Sequence, residues 1–364
     1  MRPVILRSLL IAAWAAGLFL PFKGIKPAAV MFISILIGLS VILLIQRSKP
    51  FRACKLQPFP LLARFGNVVF PLSIIAFLAL PVILKDYYLD VLIISGIYIL
   101  LALGLNVIVG FAGLLNLGFA AFYAIGAYAY ALLNTRLGFG FWPSLPLSAA
   151  CAAFAGLLVA VPALRLKGDY LAIVTLGFGE ILRLVLNNWD SLTNGPNGIS
   201  GIAPPFLFGL SLESLKFYYY LVFLIVMLSI FIIRRVERSR IGRAWVAIRE
   251  NEIAAASMGI DTTKYKLYAF AFGAFWAGIA GVLFASKMHF ISPESFTFME
   301  SVLILSMVIL GGLGNIYGAV LGAFILVLLP EVLREVQLYR MLILGIGLVL
   351  LMIFRPQGLL GGKG

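Results

Sequence analysis

Glu180 and Arg183 stand three residues apart in RLKGDYLAIVTLGFGEILR, residues 165–183. On a helix that spacing puts a carboxylate and a guanidinium on one face. Charged groups at membrane depth pair with one another or line a watery path. Two readings follow: mutual neutralisation that locks helices together, or contact with a zwitterionic solute or a gate. Glu300, near the start of a later apolar run, reads either as a partner for a helix dipole or as a group on such a path. Asn106 and Asn116 complete the candidate path residues. Glu180 or Glu300 is also where an ion-coupled carrier would place its protonation site.

A second constellation is GRAWVAIRENEIAAASMGI, residues 242–260. Ile241, Trp245 and Ile248 recur at spacings of four and three, which makes one apolar stripe on a short helix. The stripe fails at Asn251-Glu252, and an alanine-rich turn then runs to Gly259, a C-cap residue by type and place. Two short helices at a membrane surface would offer small side chains for close approach and charges to fix register. The contact set is Gly242, Arg243, Ala244, Trp245, Arg249, Glu250, Glu252, Ala255 and Gly259. A basic surface helix gripping anionic headgroups fits the same pattern.

The remaining chemistry is thin. His289 is the only histidine, and Cys54 and Cys151 fall in a basic loop and an apolar run. No metal site, catalytic residue or disulfide is therefore expected. No phosphate-binding loop occurs; GLLGGKG near the C-terminus has the wrong spacing and lacks the Ser or Thr. NGPNGIS (194–200) forces irregular backbone. It makes Asn194, Pro196 and Asn197 candidates for receiving an extracytoplasmic protein, although a plain exit loop explains them equally. SPESFTF (292–298) reads as a helix start with Ser292 as N-cap, Pro293 at N1 and Glu294 in the first turn. His289 beside it reads as incidental. Asp169 reads as the cap of the helix that follows it.

These residues are positioned by a very apolar chain. With 63% apolar residues, 12% charged residues and a mean hydropathy of +1.09, it is not an ordinary soluble domain. Runs near the length of a hydrocarbon crossing fall at roughly 4–21, 28–45, 68–84, 90–109, 113–133, 146–164, 170–188, 216–233, 265–285, 298–310, 316–330 and 338–354. The expected fold is an all-α polytopic membrane protein of about 10–12 helices. The short runs 113–133 and 298–330 are candidates for broken or re-entrant segments. Arg2 and Arg7 precede the first run, but its small-residue match lies inside the run, so it reads as a helix rather than a cleaved signal. Lysines and arginines concentrate in alternate connections, above all 47–64 and 234–266. That bias puts both termini and the 242–260 stretch in the cytoplasm, and it explains the formal charge of +14 without any nucleic acid. Gly273, Ala277 and Gly281 have the spacing of a close helix crossing. VIVGFAG (107–113) and VILGGLG (308–314) echo each other, as duplicated halves around a path or as chance among glycine-rich helices.

Longer strings carry a resemblance. GLNVIVGFAGLLNLGFAAFYAIGAY (104–128), RLKGDYLAIVTLGFGEILR (165–183), NGPNGIS (194–200), GRAWVAIRENEIA (242–254), SPESFTF (292–298), VILGGLG (308–314) and RPQGLL (355–360) together resemble the LivM-type permease subunits of branched-chain amino-acid importers. The 242–260 stretch is similar to the cytoplasmic coupling loop of ATP-binding-cassette permeases, with Glu252 seven residues before Gly259, one more than the usual pattern. The resemblance implies a permease domain at 68–364 whose coupling loop spans about 234–264, preceded by a two-helix membrane extension with a basic loop at 1–67. It implies a heterodimer with a LivH-like permease, two ATPase subunits that bind the ATP and Mg, and an extracytoplasmic amino-acid-binding protein. The chain itself would hold no cofactor, catalyse nothing, contact membrane lipid, and sit in a prokaryotic inner membrane. Leucine, isoleucine or valine is the implied cargo, with urea or an amide as the alternative within the same framework.

Overall fold

The computed structural model describes residues 85–163, 166, 168–207, 210–211, 214–332 and 357–360, with isolated positions at 81, 345 and 349. The N-terminal extension, the expected spans 4–21 and 28–45, and Arg165 and Lys167 lie outside the described residues. The spans expected at 68–84 and 338–354 are described only at isolated positions.

The described chain is helical, as expected. In order it runs α1 (Asp86–Leu105), a π-helical segment (Asn106–Phe111), α2 (Phe119–Thr135), α3 (Phe141–Ala163), α4 (Asp169–Asn188), the single turn α5 (Asp190–Thr193) and α6 (Leu215–Glu237). The short helices α7 (Arg240–Glu250) and α8 (Glu252–Ser257) follow, then α9 (Thr262–Met288), α10 (Phe298–Gly311) and α11 (Ile316–Val332). Among the described residues, five helical stretches are long and apolar enough to cross a membrane: Asp86–Phe111, Phe141–Pro162, Leu215–Glu237, Thr262–Met288 and Pro293–Gly311. The run expected at 113–133 is not a simple span. Residues 112–118 are an irregular connector, and the helix begins only at Phe119. At 298–330 the chain forms a helical hairpin that turns at Gly312–Asn315.

α1 and α9 are the buried centre. α2 and α3 pack on α9; α6, α10 and α11 pack on α1. Glycine spacing lets these helices meet backbone to backbone. A Cβ at Gly126 of α2 would land on Gly278 of α9, and one at Gly281 would strike the Tyr123 carbonyl. Gly273 sits against Gly104 and Ile108, so the α9 small-residue spacing does mark close crossings. α4 lies to one side, with Tyr170, Ile173, Ile181 and Leu184 exposed.

The all-α expectation needs one addition. Two-residue strands β1 (Ile199–Ser200), β2 (Phe206–Leu207), β3 (Leu210–Ser211) and β4 (Phe290–Ile291) form two small antiparallel pairs. Ile199 opposes Ile291 and Ser200 opposes Phe290. His289 is part of this arrangement, not incidental. It caps α9 in the left-handed region at φ 56°, and its Nδ1 lies 2.8 Å from the Ile202 carbonyl.

Candidate functional site

The 242–260 stretch is held by local signals in sequence. Ser239 caps α7, its side chain accepting from Ile241 N at 3.1 Å. Trp245 is 1% exposed and donates from Nε1 to the Tyr265 carbonyl at 2.7 Å. Asn251 leaves helical geometry at φ −160° and caps α8 through Ala254 N at 3.0 Å. α8 ends in a Schellman turn: Gly259 at φ 82°, with Ile260 N donating to Ala255 O and Gly259 N to Ala256 O. The apolar stripe, the break and the cap thus fall where periodicity places them.

The faces divide the expected contact set. Gly242, Ala244, Trp245 and Ala255 are buried. Their smallness serves the protein's own packing; a Cβ at Gly242 would collide with the Glu237 carbonyl. Arg243, Glu250 and Gly259 are exposed. The outer face of α8 also carries large apolar side chains, Ile253 at 72% and Met258 at 83% exposure, two residues outside the expected set and candidates for an interaction surface.

Arg249 is exposed along part of its side chain, 34% in all, but reaches one nitrogen into the bundle. Its Nη1 donates to the Gly110 carbonyl at 2.7 Å, across 139 residues of sequence, while Nη2 pairs with Glu250 at 2.8 Å. The stem lies against Gly113, where a Cβ would meet the Arg249 Cγ at 2.6 Å, and the guanidinium lies against Gly314. Asn106, 1% exposed, accepts from Gly314 N at 2.9 Å. The two glycine echoes, 107–113 and 308–314, therefore meet in space, and the arginine inserts between them. The helix ends in a π turn, with Ala112 N on Val107 O, so the Gly110 carbonyl in its last turn has no intrahelical partner and is free to accept. The C-terminal motif joins the same corner, with Leu359 N donating to Leu310 O at 2.8 Å and Leu360 N to Gly311 O at 3.0 Å.

Glu252 also faces inward, bonded at 2.6 Å to Lys266, whose side chain is 5% exposed. This pair ties α8 to the first turns of α9. A cavity of about 310 Å³ opens beside it, lined by Gly113, Leu171, Ile248, Arg249, Glu252 and Lys266 among others.

The candidate path residues do not form one cluster. Asn106 belongs to the Arg249 corner. Asn116, fully buried, accepts from Gly118 N at 2.9 Å in the 112–118 connector. Arg183 donates to Glu180 at 2.9 and 3.0 Å. The pair is on a single helix, so it neutralises charge without locking two helices together. Glu180 lines a small crevice with Gly118, Phe296 and Ser301. Glu300 accepts from the Tyr98 hydroxyl at 2.8 Å, so its partner is a tyrosine on α1.

At the opposite end of α4, Asn194, Pro196 and Asn197 are exposed, and Asn194 is left-handed at φ 59°. Arg136 fastens this loop by donating to the Ser191 and Leu192 carbonyls, both at 2.7 Å. Ser292 stands at the N-cap with Pro293 opening the turn and Glu294 in it, as expected, although the turn is 3₁₀ and the Ser292 side chain makes no capping hydrogen bond. The other capping expectation fails. Asp169 is the first residue of α4 rather than its cap, which is Gly168 at φ 57°; its carboxylate faces the helix dipole instead.

Residues 87–353 match the family described as branched-chain amino acid transport system / permease component. The chain belongs to that family. The match contains every candidate residue discussed above. The LivM proteins of Salmonella typhimurium and Escherichia coli K12, each named a high-affinity branched-chain amino acid transport system permease protein, are 48% identical over 305 residues. That is 78% of this chain and 72% of each relative. LivH of Salmonella typhimurium, with the same printed role, is 27% identical over 286 residues, 72% of this chain and 91% of the relative. No solved structure matches. This permease chain is thus a multi-pass membrane protein of a transport family whose members include both LivM and LivH.

The residues that motif reading missed are Gly110, Gly314 and Lys266. The echo of VIVGFAG and VILGGLG held the signal for the two glycines. Nothing local marks Lys266, which looks like any basic residue following a loop.

Proposed function

We propose that this chain is one permease half of an ATP-driven importer for branched-chain amino acids, non-catalytic and paired with a LivH-like permease in the inner membrane. The observation that carries the reading is Arg249: a residue of a surface loop makes a charge-assisted hydrogen bond to the π-helical end of the most buried helix. A loop used only to grip a partner has no need of such a tie. A loop that passes on a partner's movement does.

In this reading two ATPase subunits seat on the outer face of α8, through Ile253 and Met258, with Glu250 and Arg243 setting register. Their closure moves α7 and α8 together, because Trp245 and the Glu252–Lys266 pair bind both to α9. Arg249 carries the displacement to Gly110 and Gly314, hence to α1 and the α10–α11 turn. Glu180, Arg183, Asn116 and Glu300 lie along the path, and Asn194, Pro196 and Asn197 meet the binding protein. Residues 1–67 are an extension to this machinery.

Mass spectrometry of what co-purifies with the chain from native membranes in mild detergent tests the proposal. Recovery of a second permease and ATPase subunits supports it. A functional homo-oligomer that transports without any ATPase would overturn it.

A further inference from the structure

On the other side of Arg249 lies a cleft that shares Arg243, Arg249 and Gly314 with the coupling reading but whose Arg234, Arg238 and Tyr317 that reading does not use. Its volume is about 740 Å³, and Arg234, Arg238, Arg243, Arg249, Glu237, Asn315 and Tyr317 contribute its polar side chains. Glu250 pairs with Arg249, which leaves Arg234, Arg238 and Arg243 facing the single carboxylate of Glu237, itself in electrostatic contact with Arg238 and Arg234. Like charges gathered in one concavity repel unless an anion shares it.

The donors are only partly used. Arg234 spends one on the Tyr317 hydroxyl at 2.9 Å, and its guanidinium lies 5.8 Å from the centre of that ring. Arg243 donates to the Arg238 carbonyl at 3.0 Å. The Arg238 side chain makes no hydrogen bond or salt bridge among the described residues. Each guanidinium offers five donors in a planar fork that matches phosphate oxygens.

The cleft also has an apolar approach. Leu224, Leu228 and Phe231 are 63%, 50% and 61% exposed on α6, at spacings of four and three, and the track ends at Arg234 and Arg238. On α11, Tyr317 and Leu321 are exposed in the same way. α6 and α11 both pack on α1 but touch one another only lightly, so the tracks flank a seam that ends at the arginines.

We infer that this cleft is a binding site for an anionic phospholipid. The headgroup phosphate sits between Arg234 and Arg238, and an acyl chain lies along Leu224, Leu228 and Phe231. A phosphate ester without chains would use the arginines alone, whereas α6 crosses the membrane and its exposed apolar face already runs from the lipid to the arginines. A lipid uses both. Since Arg249 and Arg243 wall the cleft, an occupant there bears on the same corner that the loop moves.

The test uses the full chain with the subunits it brings, exchanged into mixed micelles holding equal phosphatidylglycerol and phosphatidylcholine, with retained lipid read by native mass spectrometry. The wild type is expected to retain phosphatidylglycerol preferentially. Arg238→Gln should lower that retention about five-fold, while Lys264→Gln, which removes one charge outside the cleft, leaves it unchanged. Glycerol phosphate at millimolar concentration should not displace the lipid. Equal retention of both lipids by the wild type would overturn the site, as would unchanged retention in Arg238→Gln. Displacement by glycerol phosphate would overturn the lipid assignment in favour of a free phosphate ester.

Discussion

Arg249 shows how little a residue's type says about its direction. Placed in a charged surface stretch, it is expected to meet a partner; in the fold its guanidinium reaches the Gly110 carbonyl at 2.7 Å. A hydrogen bond to a charged group contributes about 1.5–3 kcal/mol, enough to shift a conformational equilibrium by one to two orders of magnitude. Arg249→Ala is therefore expected to cut amino-acid uptake at least ten-fold while ATPase subunits still co-purify. Loss of co-purification together with uptake would place the residue in the docking surface instead. Glu252 and Lys266 make a sharper pair, because the lysine side chain is 5% exposed. Removing one partner of a buried ion pair costs about 3–5 kcal/mol, whereas replacing both is far milder. Thermal unfolding in detergent should show Glu252→Gln well below the wild type, and Glu252→Gln with Lys266→Met closer to it. An additive double variant would show that the two do not depend on each other.

At the scale of helices, glycines decide which elements touch. Gly126 of α2 and Gly278 of α9 leave no room for a Cβ between them, and neither backbone can yield without opening the crossing. Gly126→Val is expected to abolish folded yield, read by size-exclusion chromatography. Gly177 on α4 has open space where its Cβ would go. Gly177→Ala should keep the fold, with stability unchanged or raised by up to about 1 kcal/mol from helix propensity. Equal loss in both variants would mean that α4 is covered by a partner at Gly177. At α8, the exposed pair Ile253 and Met258 is where the ATPase contact is expected. Ile253→Asp should release ATPase subunits on purification and leave thermal stability nearly unchanged, since the side chain is 72% exposed.

Across the whole molecule, uptake in reconstituted vesicles should require ATP and persist when an uncoupler collapses the proton gradient. Uptake that fails with the uncoupler while ATP remains would turn attention to Glu180 and Glu300 as protonation sites. Competition by unlabelled urea against leucine separates the two cargo readings within the family. The sequence by itself determined the membrane class, the helices at the long apolar runs among the described residues, the break at Asn251 and the Gly259 cap. Those follow from hydropathy, period and side-chain capping, all of which act within a few residues. It also held the 107–113 and 308–314 echo, whose meaning stayed open because similarity along a chain carries no distance. Tertiary structure alone decided that Asn106, Gly110, Arg249 and Gly314 share one corner, that the locally paired Glu180 and Arg183 lock no second helix, and that Lys266 is buried beneath α8. These contacts join residues 14 to 208 positions apart, apart from the helical pair itself. Contacts of that reach depend on which helices cross and at what depth, and no local pattern encodes it.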